Sequence, residues 1–199
     1  EDVIARPDLF PNPENPERGA LIGCPAGWAC QYINQNLYKA YDMEAKGWDL
    51  IDPGSSAGLD ALISKAINDG TNIVTYYWAP TAILGKLPMY MLEPNATHDS
   101  EEWASCTSVA DCADPKPNAW GFSYVETVVT ENFSNEASVA MDYISTRDFD
   151  SATMNSLLAW MADNQATGEE GAIYYLKNNQ DDWSDWVSEA VKDRVLEAL

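Results

Sequence analysis

Up to residue 94 the chain alternates short apolar runs with helical patterns, and from Ser134 onward it reads as helix to the end. That change of rhythm restricts the fold more than any other feature. Ala20-Leu21-Ile22-Gly23-Cys24 has the length and apolarity of a buried strand. Pro25-Ala26-Gly27 turns the chain, and Trp28 to Tyr41 then carries Tyr32, Ile33, Leu37, Ala40 and Tyr41 at helical spacing. Trp48-Asp49-Leu50-Ile51 reads as a second strand. Gly54-Ser55-Ser56 caps a helix running from about Ala57 to Asn68, where Asp69-Gly70 stops it. Asn72 to Trp78, rich in β-branched and aromatic residues, is the strongest strand signal, and Met89–Leu92 and Ser123–Thr130 are further candidates. Strands alternating with helices imply an α/β fold with a mostly parallel sheet, followed by a separate layer of three or four helices. Residues 1–19, rich in Pro, Asn and Glu, read as an extended lead-in.

At 199 residues the chain supports one domain or two small lobes. No apolar run is long enough to span a bilayer, so direct membrane insertion is not expected. The opening Glu1-Asp2-Val3 has no basic and then apolar stretch, so any signal peptide is expected to have been removed. Asp and Glu number 32 against 11 Lys and Arg, for a net charge of −21. Such a surface repels phosphate backbones and anionic lipid, which argues against nucleic-acid and membrane-surface partners. It favours cationic ligands only diffusely, and solubility in a salty medium explains it as well.

The four cysteines fall in two pairs, Cys24/Cys30 and Cys106/Cys112, each wider than the usual spacing within a zinc-binding pair. Even number and local pairing point to two disulfides and an oxidising compartment, with reduced buried cysteines as the other reading. A bridge over so short a loop stabilises by only about 2 kcal/mol, and its larger effect is to fix the local backbone.

Two segments carry chemistry. In Gly23-Cys24-Pro25-Ala26-Gly27-Trp28-Ala29-Cys30 a strand ends, a glycine turn follows and a helix begins near Trp28. Free amides at a helix start accept a carboxylate, and the Trp28 indole face attracts an alkylated ammonium. A cation face beside an anion cradle is what a zwitterion needs, although a core tryptophan beside a structural disulfide would give the same string. Tyr76-Tyr77-Trp78-Ala79-Pro80 follows the strongest strand at its carboxyl end, where open α/β sheets bind ligands. Trp28 and Trp78 thus make two candidate walls of an aromatic cage. Tyr76 and Tyr77 point to opposite sides of a strand, so a core role for either is equally open.

Other features have their own readings. Gly54-Ser55-Ser56-Ala57-Gly58 matches the nucleophile-elbow pattern G-x-S-x-G, which would make Ser56 the nucleophile of a serine hydrolase with His98 as its base. Helix capping by Ser55 or Ser56 explains the same residues. Asp99, Glu101, Glu102, Asp111 and Asp114 crowd the loop around the second cysteine pair. They offer the oxygen ligands of a calcium-binding interaction module, without EF-hand spacing. No cofactor is expected. Trp160 reads as core and Trp183 and Trp186 as a helical pair that packs together, while Trp120 alone among these is left open as a neighbour of the ligand.

The order GCPAGWACQYIN, WDLIDPGSSAGLDALISKAI, NIVTYYWAPTAIL resembles the substrate-binding proteins of glycine betaine and choline ABC importers, over roughly residues 7 to 94. The resemblance implies a periplasmic-binding-protein-like, two-lobed fold with the ligand closed between the lobes. It implies that Trp28 and Trp78 help cage a quaternary-ammonium osmolyte and that the amides of Ala29 and Cys30 bind its carboxylate. It also implies a membrane permease as partner, a periplasmic or extracellular location and no enzymatic activity. Family members carry a further stretch of sheet and helix before the segment with which this chain opens. The resemblance therefore assigns residues 18–120 to the second ligand-binding lobe, and residues 1–17 and 121–199 to the hinge and part of a mainly helical first lobe.

Overall fold

Four strands, β1 (Pro11–Asn12), β2 (Asn15–Ile22), β3 (Trp48–Ile51) and β4 (Val74–Thr75), form one sheet built around β2. β3 runs parallel along one edge of β2, with Gly19 opposite Trp48 and Ile22 opposite Ile51. β4 runs parallel along the other edge, pairing Leu21 with Val74 and Ile22 with Thr75. β1 is antiparallel to β2 and meets it at Gly19. The first parallel strand therefore lies between the second and the third. Strand order reverses between β2 and β4, and the crevice beyond their carboxyl ends is where open α/β sheets place ligands.

The structure is a computed structural model that describes residues 2–199. It divides into two units: one runs to Trp78 and takes in Met89–Phe122, the other comprises Ala79–Pro88 and Ser123–Leu199. The first holds the sheet, the helices α1 (Ala29–Ala40) and α2 (Ser56–Asp69), and a disulfide-bearing loop. The second holds α3 (Ala82–Lys86). The short α4 (Ser100–Glu102) lies in the loop of the first unit.

α1 and α2 are the crossovers between parallel strands. α2 starts where Ser55, in extended conformation, accepts a hydrogen bond from the Gly58 amide, and it ends at Gly70, whose φ of +66° is the left-handed conformation of a helix stop. Gly58 is required here, because a Cβ would run into the Pro53 carbonyl. Leu59 and Ile63 are fully buried along one face of α2. On β3, Trp48 is also fully buried; its indole N–H donates to the Ile4 carbonyl at 2.9 Å, and Phe10 lies 5.6 Å away, centroid to centroid. Beside it Asp49 takes hydrogen bonds from the Asn12 amide (2.8 Å) and from Arg18 Nε (2.6 Å). The Asn12 bond first, and then the Arg18 guanidinium, hold this carboxyl below its ordinary range.

In the second unit the helices α5 (Glu131–Glu136), α6 (Ser138–Thr146), α7 (Ser151–Asn164), α8 (Gly168–Asn178), α9 (Gln180–Trp183) and α10 (Glu189–Ala198) follow α3. α3 lies against α7: the Thr81 amide donates to Asn155 Oδ1 at 2.7 Å, and Lys86 pairs with Asp163 at 2.5 Å.

Several expectations need correction. The strand foreseen over Asn72–Trp78 is paired only at Val74–Thr75, because its partner β2 ends at Ile22; one last bond, Tyr76 N–H to the Ile22 carbonyl, follows. Met89–Leu92 and Ser123–Thr130 form no strand. Both have strand-forming residues but no place in the sheet, and Met91 is 93% and Val128 91% exposed. The lead-in is structured, holding β1 and the first half of β2. The helical tail begins at Glu131 and is cut into more and shorter pieces than expected. The cuts follow capping side chains: Thr130, Asp150 and Thr167 each accept amide hydrogen bonds and restart a helix. Trp160 is half-buried, stacked on Tyr174 at 3.9 Å, rather than core. Trp186 sits in a 3-10 turn with Phe149 and Tyr175 as ring neighbours, so it does not share one helix with Trp183.

Candidate functional site

β2 ends at Ile22, and the chain turns through Gly27, whose φ is +87°. The Cys24–Cys30 disulfide closes this turn with a Cα separation of 5.7 Å, within the normal range. Trp28 is the N-cap residue of α1, in extended conformation, and its side chain makes no capping bond. Ala29 and Cys30 are the first two helical residues. Among the described residues nothing accepts their amide hydrogens, and no acidic side chain stands in the first turn. Ala29 is exposed. A helix end in this state presents paired N–H donors and partial positive charge.

The Trp28 indole meets Trp78 edge to face, with centroids 5.4 Å apart and planes at 65°. Trp78 follows β4 as Trp28 follows β2, so the two come together beyond the carboxyl ends of the strands flanking the reversal. Tyr77 stacks on Trp78 at 4.6 Å and donates its hydroxyl to Asp60 Oδ1 at 2.6 Å, which anchors it to α2. Tyr76 stacks on Trp78 at 6.2 Å and reaches Trp120 at 5.4 Å. Burial pushes the Tyr76 phenol up. All six residues singled out from sequence, Trp28, Ala29, Cys30, Tyr76, Tyr77 and Trp78, lie in the first unit.

The array extends further than the sequence indicated. Trp103 packs edge to face on Trp120 at 5.1 Å, and His98 lies 5.3 Å from Trp103. These residues ride on the loop closed by Cys106–Cys112, whose Cα atoms are 5.3 Å apart. The loop is fastened to α1: the Asn36 amide donates to the carbonyls of Cys106, Thr107 and Val109, and Tyr41 donates to the Asn118 carbonyl. Asn118, only 1% exposed, bonds to the Asp99 backbone, to Thr107 Oγ1 and to the Ala119 amide. Trp103 was not among the residues expected here. The available signal was that both cysteine pairs have the same spacing and each has a tryptophan close by.

The competing readings find less support. Ser55 is the α2 cap and Ser56 the first residue of that helix. His98 Nδ1 lies 2.8 Å from the Ala119 carbonyl, which only accepts, so Nδ1 carries the proton and donates. Asp99 and Glu102 accept backbone amides within their own loop. Among the described residues no three His, Cys, Asp or Glu side chains come together as metal ligands. No helix among them is long and apolar enough to cross a membrane.

Residues 2–178 match the family model of the substrate-binding domain of ABC-type glycine betaine transport systems. A search of curated proteins gives no match. Among solved structures, the lactococcal OpuAC in its closed, liganded conformation complexed with glycine betaine superposes with a TM-score of 0.53 at 18% identity, covering 85% of this chain and 57% of that one. An ABC-transporter choline-binding protein in an unliganded, semi-closed conformation gives 0.53 and 18%, covering 94% of this chain and 56% of that one. At such identity the likeness is one of fold, a mixed helix and sheet architecture of the two-lobed periplasmic-binding-protein kind, and this chain spans somewhat more than half the length of either structure. With the family model matching nearly the whole sequence, the chain belongs to the family of substrate-binding domains of ABC-type glycine betaine transport systems.

Proposed function

We propose that this chain is the solute-capturing part of an ABC importer and holds a methylated onium osmolyte, glycine betaine or a close analogue, through Trp28 and Trp78. The unit containing the sheet acts as the second ligand-binding lobe, and the helical unit contributes to the first. The observation that carries this reading is the meeting of the Trp28 and Trp78 indoles beside the unclaimed amides of Ala29 and Cys30. The inclined indoles form a corner in which one cation lies within about 6 Å of both ring centroids. A carboxylate a few bonds from that cation then reaches the start of α1, where two N–H groups and the helix dipole receive it. The net charge of −21 adds a weak, salt-screened preference for cations.

On this reading the partner is the membrane permease of the importer, the location is periplasmic or extracellular at the membrane, and no reaction is catalysed. Ser55 capping α2 accounts for the G-x-S-x-G string without a nucleophile. Calorimetric titration with glycine betaine, proline betaine, choline, a dimethylsulfonium analogue and trimethylamine oxide tests the proposal. Saturable binding of at least one, with little response to unmethylated glycine, is the expected result. Absence of binding across the panel, or ester hydrolysis that disappears in Ser56→Ala, overturns it.

A further inference from the structure

We propose that a small cavity at the end of β3 binds a primary amide group, through Asn34 as donor and Asp52 as acceptor. The cavity has a volume of about 80 Å³. Cys24 lines it just beyond β2, Leu50, Ile51 and Asp52 line it at the end of β3, and α1 contributes Gln31 and Asn34. It is separate from the onium corner, whose Trp78 follows β4 on the opposite edge of β2. Asn34 carries the inference. It is only 9% exposed, and its Nδ2 is buried with no hydrogen-bond partner among the described residues. An amide nitrogen withdrawn from water and left unpaired is costly, and few buried polar groups are found in that state. Beside an open cavity, such a donor calls for an acceptor brought in from outside.

The neighbours of Asn34 decide what that acceptor belongs to. Gln31 Oε1 accepts the Gly27 amide at 3.0 Å, which leaves its Nε2 to donate. Asp52 Oδ1 accepts the Gly54 amide at 2.8 Å, and among the described residues its other oxygen accepts nothing. The cavity thus combines N–H donors from α1 with one carboxylate acceptor. A guanidinium or ammonium brings no acceptor for Asn34. A carboxylate brings acceptors but meets the charge of Asp52, in a chain of net charge −21. A primary amide carries both partners without net charge: its carbonyl accepts from Asn34 and its N–H donates to Asp52. Cys24, Leu50 and Ile51 supply apolar surface for the flat faces of the group. A single water occupies about 30 Å³ in the liquid and leaves much of the cavity empty. The amide belongs either to a small neutral solute such as urea or to an asparagine or glutamine side chain of a partner.

The test follows the side-chain N–H signals of Asn34 and Gln31 by NMR in the full chain during titration with acetamide and with urea. Both solutes should shift them saturably at millimolar concentration, as suits ligands of so few atoms. The Asn164 side chain, in the helical unit, should not respond. N,N-dimethylacetamide keeps the carbonyl but has no N–H, and acetate carries a charge; each should bind about ten-fold more weakly or worse. Asp52→Asn keeps an oxygen for Gly54 and turns the free acceptor into a donor, so it should weaken acetamide about ten-fold. Asn34→Leu should abolish the saturable shift at Gln31, and if that variant folds poorly, Asp52→Asn decides. N-acetylglutamine methylamide binding as tightly as acetamide supports a partner's side chain as the source, and weaker binding supports a free solute. Absence of a saturable shift with either small amide means that the cavity holds water only, and the inference fails. Equal affinity for acetamide and its dimethyl derivative, or no effect of Asp52→Asn, overturns it as well. Onium titrations do not bear on these outcomes, so either reading can fail without the other.

Discussion

Trp28 and Trp78 stand edge to face, 5.4 Å between centroids, at the two strand ends that flank the reversal of strand order. The pairing is not a buried core contact, because Trp28 keeps 39% of its surface exposed. Each indole offers an electron-rich face to a cation in the corner between them. Trp28→Ala or Trp78→Ala should therefore cost about 1–2 kcal/mol, roughly ten-fold in the Kd of the onium ligand. Trp160→Ala, which removes a stacking partner of Tyr174 in the helical unit, should lower the melting temperature and leave affinity per folded molecule unchanged. Titration calorimetry beside thermal melts separates the two outcomes.

The start of α1 gives a second prediction that distinguishes the two ends of a zwitterion. Ala29 is the first helical residue, and Trp28 before it is extended at ψ 147°, so proline is compatible with the fold at this position. Ala29→Pro deletes one of the two N–H donors assigned to the carboxylate. Loss of a hydrogen bond to a charged group costs about 1.5–3 kcal/mol, so glycine betaine should bind about ten-fold or more weakly. Choline, which has no carboxylate, should be affected much less. Equal losses for the two ligands would remove Ala29 from the site.

Much of this architecture was legible in the sequence because its signals are local. The bounds of α2 are announced by Ser55 and Gly70, and β3 by Trp48, Leu50 and Ile51 standing between polar stretches. Trp28 and Trp78 were findable for the same reason: one stands a short turn beyond a run that reads as a strand, and the other ends such a run. Met89–Leu92 and Ser123–Thr130 show the limit. Strand-forming residues state a preference, but a strand exists only where a neighbour offers its edge, and that is a long-range fact. Trp120 was open as a ligand neighbour from the sequence, but the part of Trp103 behind it was hidden for a related reason. It depends on Asn36 and Asn118, two ordinary amides whose importance comes from burial against carbonyls far away in the chain. Nothing in their immediate sequence marks that.

Each disulfide pins a segment that carries a tryptophan. Cys24–Cys30 closes the turn beneath Trp28, and Cys106–Cys112 closes the loop that carries Trp103. Non-reducing peptide mapping should recover these two pairs and no free thiol. Replacing Cys106 and Cys112 by serine should lower stability by about 2 kcal/mol, from the loop length alone. A cross-pair bridge in the peptide map would contradict the assignment.

Asp49 should make the sheet-containing unit sensitive to acid. Its carboxylate is held by Asn12 first and then by Arg18, which lowers its folded value. A carboxyl whose folded value lies below its unfolded value of about 3.9 contributes stability that is fully present above that pH. That contribution is lost as pH falls through the lowered folded value. The melting temperature of the protein should thus fall between about pH 5 and pH 2 more steeply than that of Asp49→Asn, which has no proton to take up. Parallel slopes for the two proteins would show that Asp49 has no such linkage.

Tyr175 gives the last prediction, in the helical unit. It is 5% exposed, packed against Phe149 at 5.4 Å and Trp186 at 6.0 Å, and its hydroxyl is buried with no hydrogen-bond partner among the described residues. A buried hydroxyl without a partner loses its water and gains nothing in return, at a cost of about 1–3 kcal/mol. Tyr175→Phe keeps the ring and both aromatic contacts and removes only that oxygen, so the variant should be more stable by about 1 kcal/mol near neutral pH. The same burial, with Asp182, Asp150 and Tyr143 nearby, pushes the phenol up to about 12. Because the folded value lies above the unfolded value of about 10, the folded state resists ionisation. The stability tied to this group is intact below about pH 10 and is lost as pH rises through about 12. Tyr175→Phe abolishes that alkaline loss, so the advantage of the variant should widen as pH rises above about 10. Denaturant melts at neutral pH and at increasing alkalinity measure both effects. A variant less stable than the parent at neutral pH would mean that the hydroxyl has a partner after all.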